Sequence, residues 1–413
     1  MHGPAHASDN YSDTAVVPGN VQRLIRRWSV AGNFLASPVV GDGYVFIGSD
    51  SGEFYEINKF TGAVVAHDSL GFQPGIACPA RGIVATAAVG TDPANGQLAV
   101  YEAAPDGYLY ALAIPTLKLL WRSVIAIPSK TENNYFDWSS PTVANGKIYV
   151  GISSNCDDPL IRGGVAAFDQ ATGRRIATFY TMPPGVVGGS VWTTVAVDSA
   201  GYVYASTGNP SGTNPYYGVS IVKLTPMLRP VGHFTVPLSQ RTTDNDFGGS
   251  PTIFGPYVGA CNHNGIYYAV YRSTMRLAWW RVIGAKVGGP VQSQCAAGAA
   301  FDGKYLYIAG PKTTINGRVY QGSIRRLTTS GKFLWQRGLP NGVIGAPSLD
   351  GGGVLAVGTY DLTKTPNATY LLDVATGKIL RVMASGSLDF AQTVFSGSWV
   401  LTANSSGISG WTF

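Results

Sequence analysis

The sequence predicts an all-β fold, a single eight-bladed β-propeller of four-stranded antiparallel blades. Three observations carry that expectation. A strand-pair motif recurs about eight times along the 413 residues. Each copy is followed by a third strand, a tight turn, and a fourth strand that often ends in Trp. The last copy stops one strand short, while a spare strand stands at the other end of the chain.

The first strand pair reads Ala36-Ser37-Pro38-Val39-Val40, a Gly41-Asp42-Gly43 turn, then Tyr44-Val45-Phe46-Ile47-Gly48. Another reads Ser139-Ser140-Pro141-Thr142-Val143, Asn145-Gly146, then Lys147-Ile148-Tyr149-Val150-Gly151. Asp-Gly and Asn-Gly supply the positive φ of tight hairpins, and Val, Ile and Tyr suit pleated strands. Third strands precede Thr61-Gly62, Thr172-Gly173, Ser330-Gly331 and Thr376-Gly377; fourth strands close on Trp121, Trp280 and Trp335. First strands begin near residues 37, 86, 140, 193, 250, 297, 346 and 391, a spacing of roughly 45–57 residues that fits propeller blades. The spare strand, Leu24 to Val30 with Trp28, is expected to pair with Ile408–Phe413 and close the ring, hiding two open sheet edges. This gives residues 1–22 as an N-terminal lead-in and 23–413 as one propeller domain.

Composition narrows the function classes. Charged residues are 13% of the chain and the net charge is +6, with no long basic run, which argues against a nucleic-acid partner. No apolar stretch is long enough for a membrane span. Ala5-His6-Ala7 has the shape of a signal cleavage site, but no apolar region precedes it here, so a mature secreted or periplasmic chain is expected. Cys78, Cys156, Cys261 and Cys295 lack CxxC spacing, which excludes zinc ribbons and c-type haem attachment. They allow three disulfide connectivities or buried free thiols. The five histidines show no HExxH pattern, and there is no nucleophile elbow or P-loop. Asp42, Asp106, Asp169 and Asp373 read as solvated turn stabilisers.

The strand, Asp, Thr-Gly, strand, Trp pattern resembles the tryptophan-docking repeats of quinoprotein alcohol dehydrogenases. The opening Gly3-Pro4-Ala5-His6 and Val17-Pro18-Gly19-Asn20-Val21 resemble polyvinyl-alcohol-dehydrogenase-like propellers. Outer-membrane assembly scaffolds share these repeats. The resemblance implies binding of pyrroloquinoline quinone (PQQ) and Ca²⁺.

Residue by residue, Trp192 in Gly188-Gly189-Ser190-Val191-Trp192 resembles the flat floor under the quinone; its alternative is a core aromatic between blades. Asn209 in Ser206-Thr207-Gly208-Asn209-Pro210 resembles a Ca²⁺ ligand through its amide oxygen, or is a plain turn residue. Asp246 in Asp244-Asn245-Asp246-Phe247-Gly248 falls at the catalytic aspartate, ligating the metal and accepting the alcohol proton. On an extended segment Asp244 and Asp246 would point to opposite faces, so only one is expected in the channel. Arg81 resembles the arginine that grips a quinone carboxylate, or is a surface arginine. Three departures stand out. Pro79 replaces the second cysteine of an adjacent pair. Asp157 or Asp158 stands where a Ca²⁺-binding Glu is expected, and His263 replaces a cation expected on the quinone.

The expected function is an extracytoplasmic PQQ- and Ca²⁺-dependent alcohol dehydrogenase with an external electron acceptor. Its site residues would be Asp246, Arg81, Trp192, His263, Asn209, Asp157 and Asp158, converging on one axial cavity. The alternative is a non-catalytic propeller that presents the insertions at 209–217, 313–321 and 359–368 to a protein or glycan partner.

Overall fold

Each repeat folds into a four-stranded antiparallel sheet, and among the described residues there are eight. The computed structural model describes residues 5, 9–10, 12–285, 294–363 and 366–413. Most of the Gly3–His6 motif and of the Ala5-His6-Ala7 motif therefore lies outside the described residues. The only helical turns described are short 3-10 segments, Val21–Arg23 and Leu238–Gln240.

The chain divides into two compact units, Val39–Val236, and Met1–Pro38 with Pro237–Phe413. The first holds four blades. Blade 1 is Val39–Gly41, Tyr44–Gly48, Glu53–Asn58 and Val64–Ser69. Blade 2 is Ala88–Thr91, Leu98–Ala103, Tyr108–Ala113 and Leu119–Val124. Blade 3 is Thr142–Ala144, Lys147–Ile152, Gly164–Asp169 and Arg175–Tyr180. Blade 4 is Ala196–Val197, Val203–Ser206, Ser220–Leu224 and Pro230–Thr235.

The second unit holds the other four. Blade 5 is Thr252–Phe254, Tyr257–Asn262, Ile266–Tyr271 and Leu277–Val282. Blade 6 is Ala300–Phe301, Tyr305–Gly310, Gly322–Thr328 and Phe333–Leu339. Blade 7 is Ser348–Asp350, Val354–Gly358, Ala368–Asp373 and Ile379–Ala384, with Asp9–Asn10 added parallel at its first strand. Blade 8 is Val394–Ser396, Trp399–Asn404 and Gly407–Thr412. Its fourth strand is Ile25–Ala31, antiparallel to Gly407–Thr412, so the expected pairing of the two chain ends is present.

The turn chemistry explains the repeat. Asp42 and Gly43 both take positive φ (49° and 81°), as do Asn145 and Gly146 (51° and 72°), which matches the twist of flanking strands. Asp169 Oδ1 accepts from the Thr172 amide and hydroxyl at 3.0 and 2.8 Å, and Asp373 does the same with Thr376. Asp106 departs from the expectation of a solvated turn residue. It accepts from the Tyr110 hydroxyl at 2.6 Å, and burial raises its carboxyl above the usual range. The insertion at 313–321 is likewise a hairpin, Thr313–Ile315 against Arg318–Tyr320, rather than a loose loop.

Neighbouring blades are held by a Trp from one and a Gly from the next. A Cβ on Gly173 would lie 2.4 Å from Trp121, one on Gly331 2.7 Å from Trp279, and one on Gly377 2.7 Å from Trp335. The indole N–H of Trp279 donates to Thr329 O at 2.9 Å, and that of Trp335 to Val374 O at 3.0 Å. First strands add a polar tie. Thr142 Oγ1 donates to Val195 O, Thr252 Oγ1 to Ala299 O, and Ser348 Oγ to Thr393 O, at 2.7, 3.0 and 2.6 Å. Apolar clusters fill the spaces between, such as Val39, Phe46 and Phe54 against Val100 and Leu112.

One charge sits in that last cluster. Glu56 is opposite Phe46 and Ala66, fully buried, with neither carboxylate oxygen hydrogen-bonded, and burial raises its pKa from 4.5 to about 7.

Two outcomes follow. Gly377→Val puts a branched side chain into Trp335 at a φ of +66°, and should cost about 2–4 kcal/mol in urea unfolding; a loss under 1 kcal/mol would refute the docking argument. For Glu56, the folded chain holds a proton between about pH 4.5 and 7 that the unfolded chain has lost, so this group makes stability fall as pH rises through that window. From pH 4 to pH 8 the stability of Glu56→Gln should therefore gain on wild type by on the order of 3 kcal/mol. Parallel pH profiles would show that Glu56 is solvated.

Candidate functional site

In a four-stranded antiparallel blade, the turn between strands two and three and the exit from strand four lie at the same end. Every residue singled out from sequence falls on one of these two kinds of segment. Arg81 lies on the exit from blade 1, Trp192 on the exit from blade 3, and Asp246 just ahead of blade 5; Asp157 and Asp158, Asn209 and His263 lie in second turns.

Within the unit Val39–Val236, these segments are sewn together. The Gly189 amide donates to Asn209 O at 2.6 Å and the Gly208 amide to Ser190 O at 2.8 Å, so the Trp192 and Asn209 segments run side by side. Gly188 and Gly189 both take positive φ, and a Cβ on Gly189 would meet Thr181 Oγ1 at 2.3 Å, so only glycine fits the bend leading to the tryptophan. Val191 and Val195 enter the apolar cluster of blades 3 and 4, whereas Trp192 itself is only half-buried. The Ser190 hydroxyl receives the Ser154 amide at 3.2 Å, and the Ser154 hydroxyl donates to Asp157 Oδ1 at 2.7 Å. Asp157 thus faces the Trp192 segment, while Asp158 is exposed and precedes a cis peptide bond to Pro159.

Arg81 is not a bare surface arginine. Its Nη1 lies 3.0 Å from Asp50 Oδ2, and the Gly82 amide donates to Asp50 Oδ1 at 3.1 Å. Gln73 exchanges both backbone bonds with Arg81, and its buried side chain donates to Pro105 O and Tyr135 O while accepting from Asn155 Nδ2. A disulfide, Cys78–Cys156, crosses the same gap with 5.9 Å between Cα atoms. The arginine segment is therefore pinned to the segment that carries Asp157. Asp137, on the exit from blade 2, is buried, and burial together with nearby Asp106 raises its carboxyl well above the usual range.

The other unit supplies the densest group of chemistry-bearing atoms. One ligand atom from each of Asp244, Asp246 and His263 lies within 4.8 Å of the other two. His263 Nδ1 is 3.0 Å from Asp244 Oδ2, and Gln294 Nε2 donates to the same oxygen at 2.9 Å. The His263 amide donates to Asp246 O at 2.9 Å, and the ring packs where a Cβ on Gly248 would lie 2.4 Å from Nε2. This corrects the expectation that the two aspartates face opposite ways. Their segment is not extended: Asn245 Nδ2 donates to Thr242 O at 2.6 Å and the Asp246 amide to Asp244 Oδ1 at 3.4 Å, which bends it and breaks the alternation of a strand. A second disulfide, Cys261–Cys295, joins the strand before His263 to the segment after blade 5. The four cysteines are thus all paired, and the free-thiol alternative falls.

Sequence reasoning missed Gln73, Asp50 and Gln294, and gave Asp244 no role. The first three belong to no motif, since a buried amide or a turn carboxylate has no spacing signature. The Asp-x-Asp pattern was visible but was read on the wrong backbone.

A family model described as outer membrane protein assembly factor BamB matches residues 20–211. A quinohemoprotein alcohol dehydrogenase, ADH IIB of Pseudomonas putida, is 30% identical over 141 residues, covering 28% of this chain and 20% of that protein. The dehydrogenase subunit of a quinone alcohol dehydrogenase of Gluconobacter oxydans (strain 621H) is 36% identical over 107 residues, covering 25% of this chain and 14% of that protein. The matches thus span a fifth or less of these relatives' lengths. Among solved structures, a quinohemoprotein alcohol dehydrogenase from Comamonas testosteroni aligns with a TM-score of 0.77 at 15% identity, covering 99% of this chain and 79% of that one. A europium-containing methanol dehydrogenase aligns with a TM-score of 0.77 at 17% identity, covering 99% and 96%. BamB from Moraxella catarrhalis aligns with a TM-score of 0.62 at 15% identity, covering 94% and 100%. In its repeats and its eight four-stranded blades the chain is similar to the PQQ-type eight-bladed β-propellers.

Proposed function

We propose that the chain is a quinoprotein-type alcohol dehydrogenase that acts outside the cytoplasm. The observation that supports this best is the convergence of Asp244, Asp246 and His263 within 4.8 Å. Two carboxylates and an imidazole at that spacing fit a hard cation held mainly through oxygen. A half-buried Trp192 beside the Asn209 segment fits a flat quinone, and Arg81, already paired to Asp50, would orient an acidic edge through its remaining donors. When bound, PQQ would accept the two electrons of alcohol oxidation, with the cation as Lewis acid.

The chain's own contribution is placement and proton transfer. Asp246, buried and fixed by the His263 amide, would take the proton of the substrate hydroxyl. Asp244 would hold His263 in orientation and add a second carboxylate, a charge that suits a trivalent ion such as the europium named for one structural neighbour as well as Ca²⁺. Asp157, fixed by Ser154, would serve in the Asn209 segment, and the exposed Asp158 would not. The two disulfides fit an oxidising compartment, so a secreted or periplasmic location belongs to this reading, as does an external electron acceptor. No described helix is long and apolar enough to cross a membrane.

A second reading, a scaffold that binds a protein or glycan, is favoured by the family model over residues 20–211 and its assembly-factor description. The two readings part on cofactor uptake. Dialysis with PQQ and either Ca²⁺ or Eu³⁺ should give one bound quinone per chain by absorbance, and alcohol-dependent dye reduction. Asp246→Asn should retain the quinone and lose at least 100-fold in kcat, the scale of general-base loss. No quinone uptake with either ion would leave the scaffold reading. Independently of activity, Eu³⁺ luminescence should report fewer bound waters in the wild type than in Asp244→Asn. Equal hydration would remove Asp244 from the cation.

A further inference from the structure

Blade 8, the blade assembled from both ends of the chain, differs from blades 1, 2, 5 and 7 in one row of side chains, a position that Ala166, Val222 and Ile324 occupy in blades 3, 4 and 6. The third residue of the third strand is Tyr55 in blade 1, Tyr110 in blade 2, Tyr268 in blade 5 and Tyr370 in blade 7. In blade 8 it is Ser409. Register places Ser29 opposite Ser409 on one side and Thr402 opposite it on the other. Three adjacent strands therefore carry small hydroxylic residues at one level, where blade 2 carries Tyr110 with Glu102 and Arg122 and blade 3 carries Val150, Ala166 and Thr178.

The missing volume is not filled by blade 7. A cavity of about 170 Å³ remains, between the hydroxyl row and Thr369, Met383 and Ala384 of blade 7. That is room for five or six waters at about 30 Å³ each. Its surroundings are not those of an accidental apolar void. Asn404, Ser385 and Ser406 add polar groups at one end, and Trp411 and Arg26 stand at the outer end. Several of these groups are held in place. Trp411 Nε1 donates to Thr402 Oγ1 at 3.1 Å, Thr369 Oγ1 to Asp389 Oδ2 at 2.6 Å, and Asn404 Oδ1 receives Ser387, Ser406 and Gly407. By contrast, Ser29 and Ser409 make no side-chain hydrogen bond to any described residue. Ser29 is open to solvent, so the cavity has a mouth.

We propose that this cleft between blades 7 and 8 binds a neutral polyol of monosaccharide size. The chemistry is that of sugar recognition: rotatable hydroxyls that both donate and accept, an amide anchored by its own hydrogen bonds, and the edge of an indole ring at the rim. The only formally charged side chain of the lining is Arg26; its guanidinium carbon and that of Arg381 lie 5.9 and 5.8 Å from the Trp411 ring centroid, so the charges sit on the indole at the rim and the groups inside are uncharged. The site lies wholly within one compact unit and does not depend on the quinone or on Asp246.

The test uses the full chain without added quinone or metal. D-glucose, D-xylose and glycerol are each titrated, with saturation-transfer NMR and shifts of the Trp411 indole N–H as readouts. At least one of the two sugars should saturate with a millimolar constant and shift Trp411. Ser409→Tyr, which restores the side chain of blades 1, 2, 5 and 7, should abolish both signals while leaving the melting temperature unchanged or raised. If that variant does not fold, Ser29→Ala with Thr402→Val removes two hydroxyls at nearly constant shape and should weaken binding at least 10-fold. Absence of saturable binding by both sugars overturns the proposal, as does binding that survives the variant. A cleft that takes glycerol alone also overturns it, because the ligand size would be wrong.

Discussion

A tryptophan seated on a glycine of the next blade is the contact on which the architecture rests. A blade alone is a small twisted sheet that can bury neither face, so it is stable only against neighbours. The Thr-Gly turn presents a backbone without a Cβ, and Trp121, Trp279 and Trp335 each occupy that gap. The indole of Trp279 and that of Trp335 also donate to a carbonyl of the same turn region, so ring packing and a polar bond fix the offset between blades together. Arg281 and Arg337, two residues after those tryptophans, donate to the carbonyls of Gly331 and Gly377 and repeat the lock. Because the offset is set at the outer turns, the opposite kind of segment, second turns and blade exits, is released from packing and can carry chemistry.

That division explains what was legible in the sequence. Blade number, strand order and the pairing of Ile25–Ala31 with Gly407–Thr412 follow from residues that repeat because each copy meets the same packing demand. Turn residues are equally readable, since Asp42-Gly43 and Asn145-Gly146 need positive φ wherever they occur. The site segments obey no such rule. Between Pro237 and Gly249 the chain has one 3-10 turn and no strand, so face alternation does not apply, and Asp244 and Asp246 end on the same side. Asp106 misled for a related reason: its turn is ordinary, but the Tyr110 hydroxyl and the neighbouring burial are tertiary facts.

The disulfides and Gln73 show a further limit. Four cysteines permit three pairings, and only the fold brings Cys78 to Cys156 and Cys261 to Cys295. Each bridge ties a second turn or its flanking strand to a blade exit, the two kinds of segment that hold the candidate residues. Gln73 does the same with hydrogen bonds, reaching Pro105, Tyr135 and Asn155 from the Arg81 segment. Irregular segments lack a ladder of their own, and these cross-links take its place by satisfying buried polar groups that water does not reach.

The Asp244–Asp246–His263 group also carries an electrostatic argument that is separate from any resemblance. Two ionised carboxylates with oxygens no more than 4.8 Å apart repel by about 3 kcal/mol or more at an effective dielectric of 20. His263 and Gln294 both approach Asp244, and Asp246 beside it is a buried residue, 7% exposed. A bound cation changes the sign of the balance, because each oxygen that repels the other is attracted to the ion between them. A cation held by those oxygens would offset their repulsion, and this is the physical ground on which the proposed dehydrogenase reading rests.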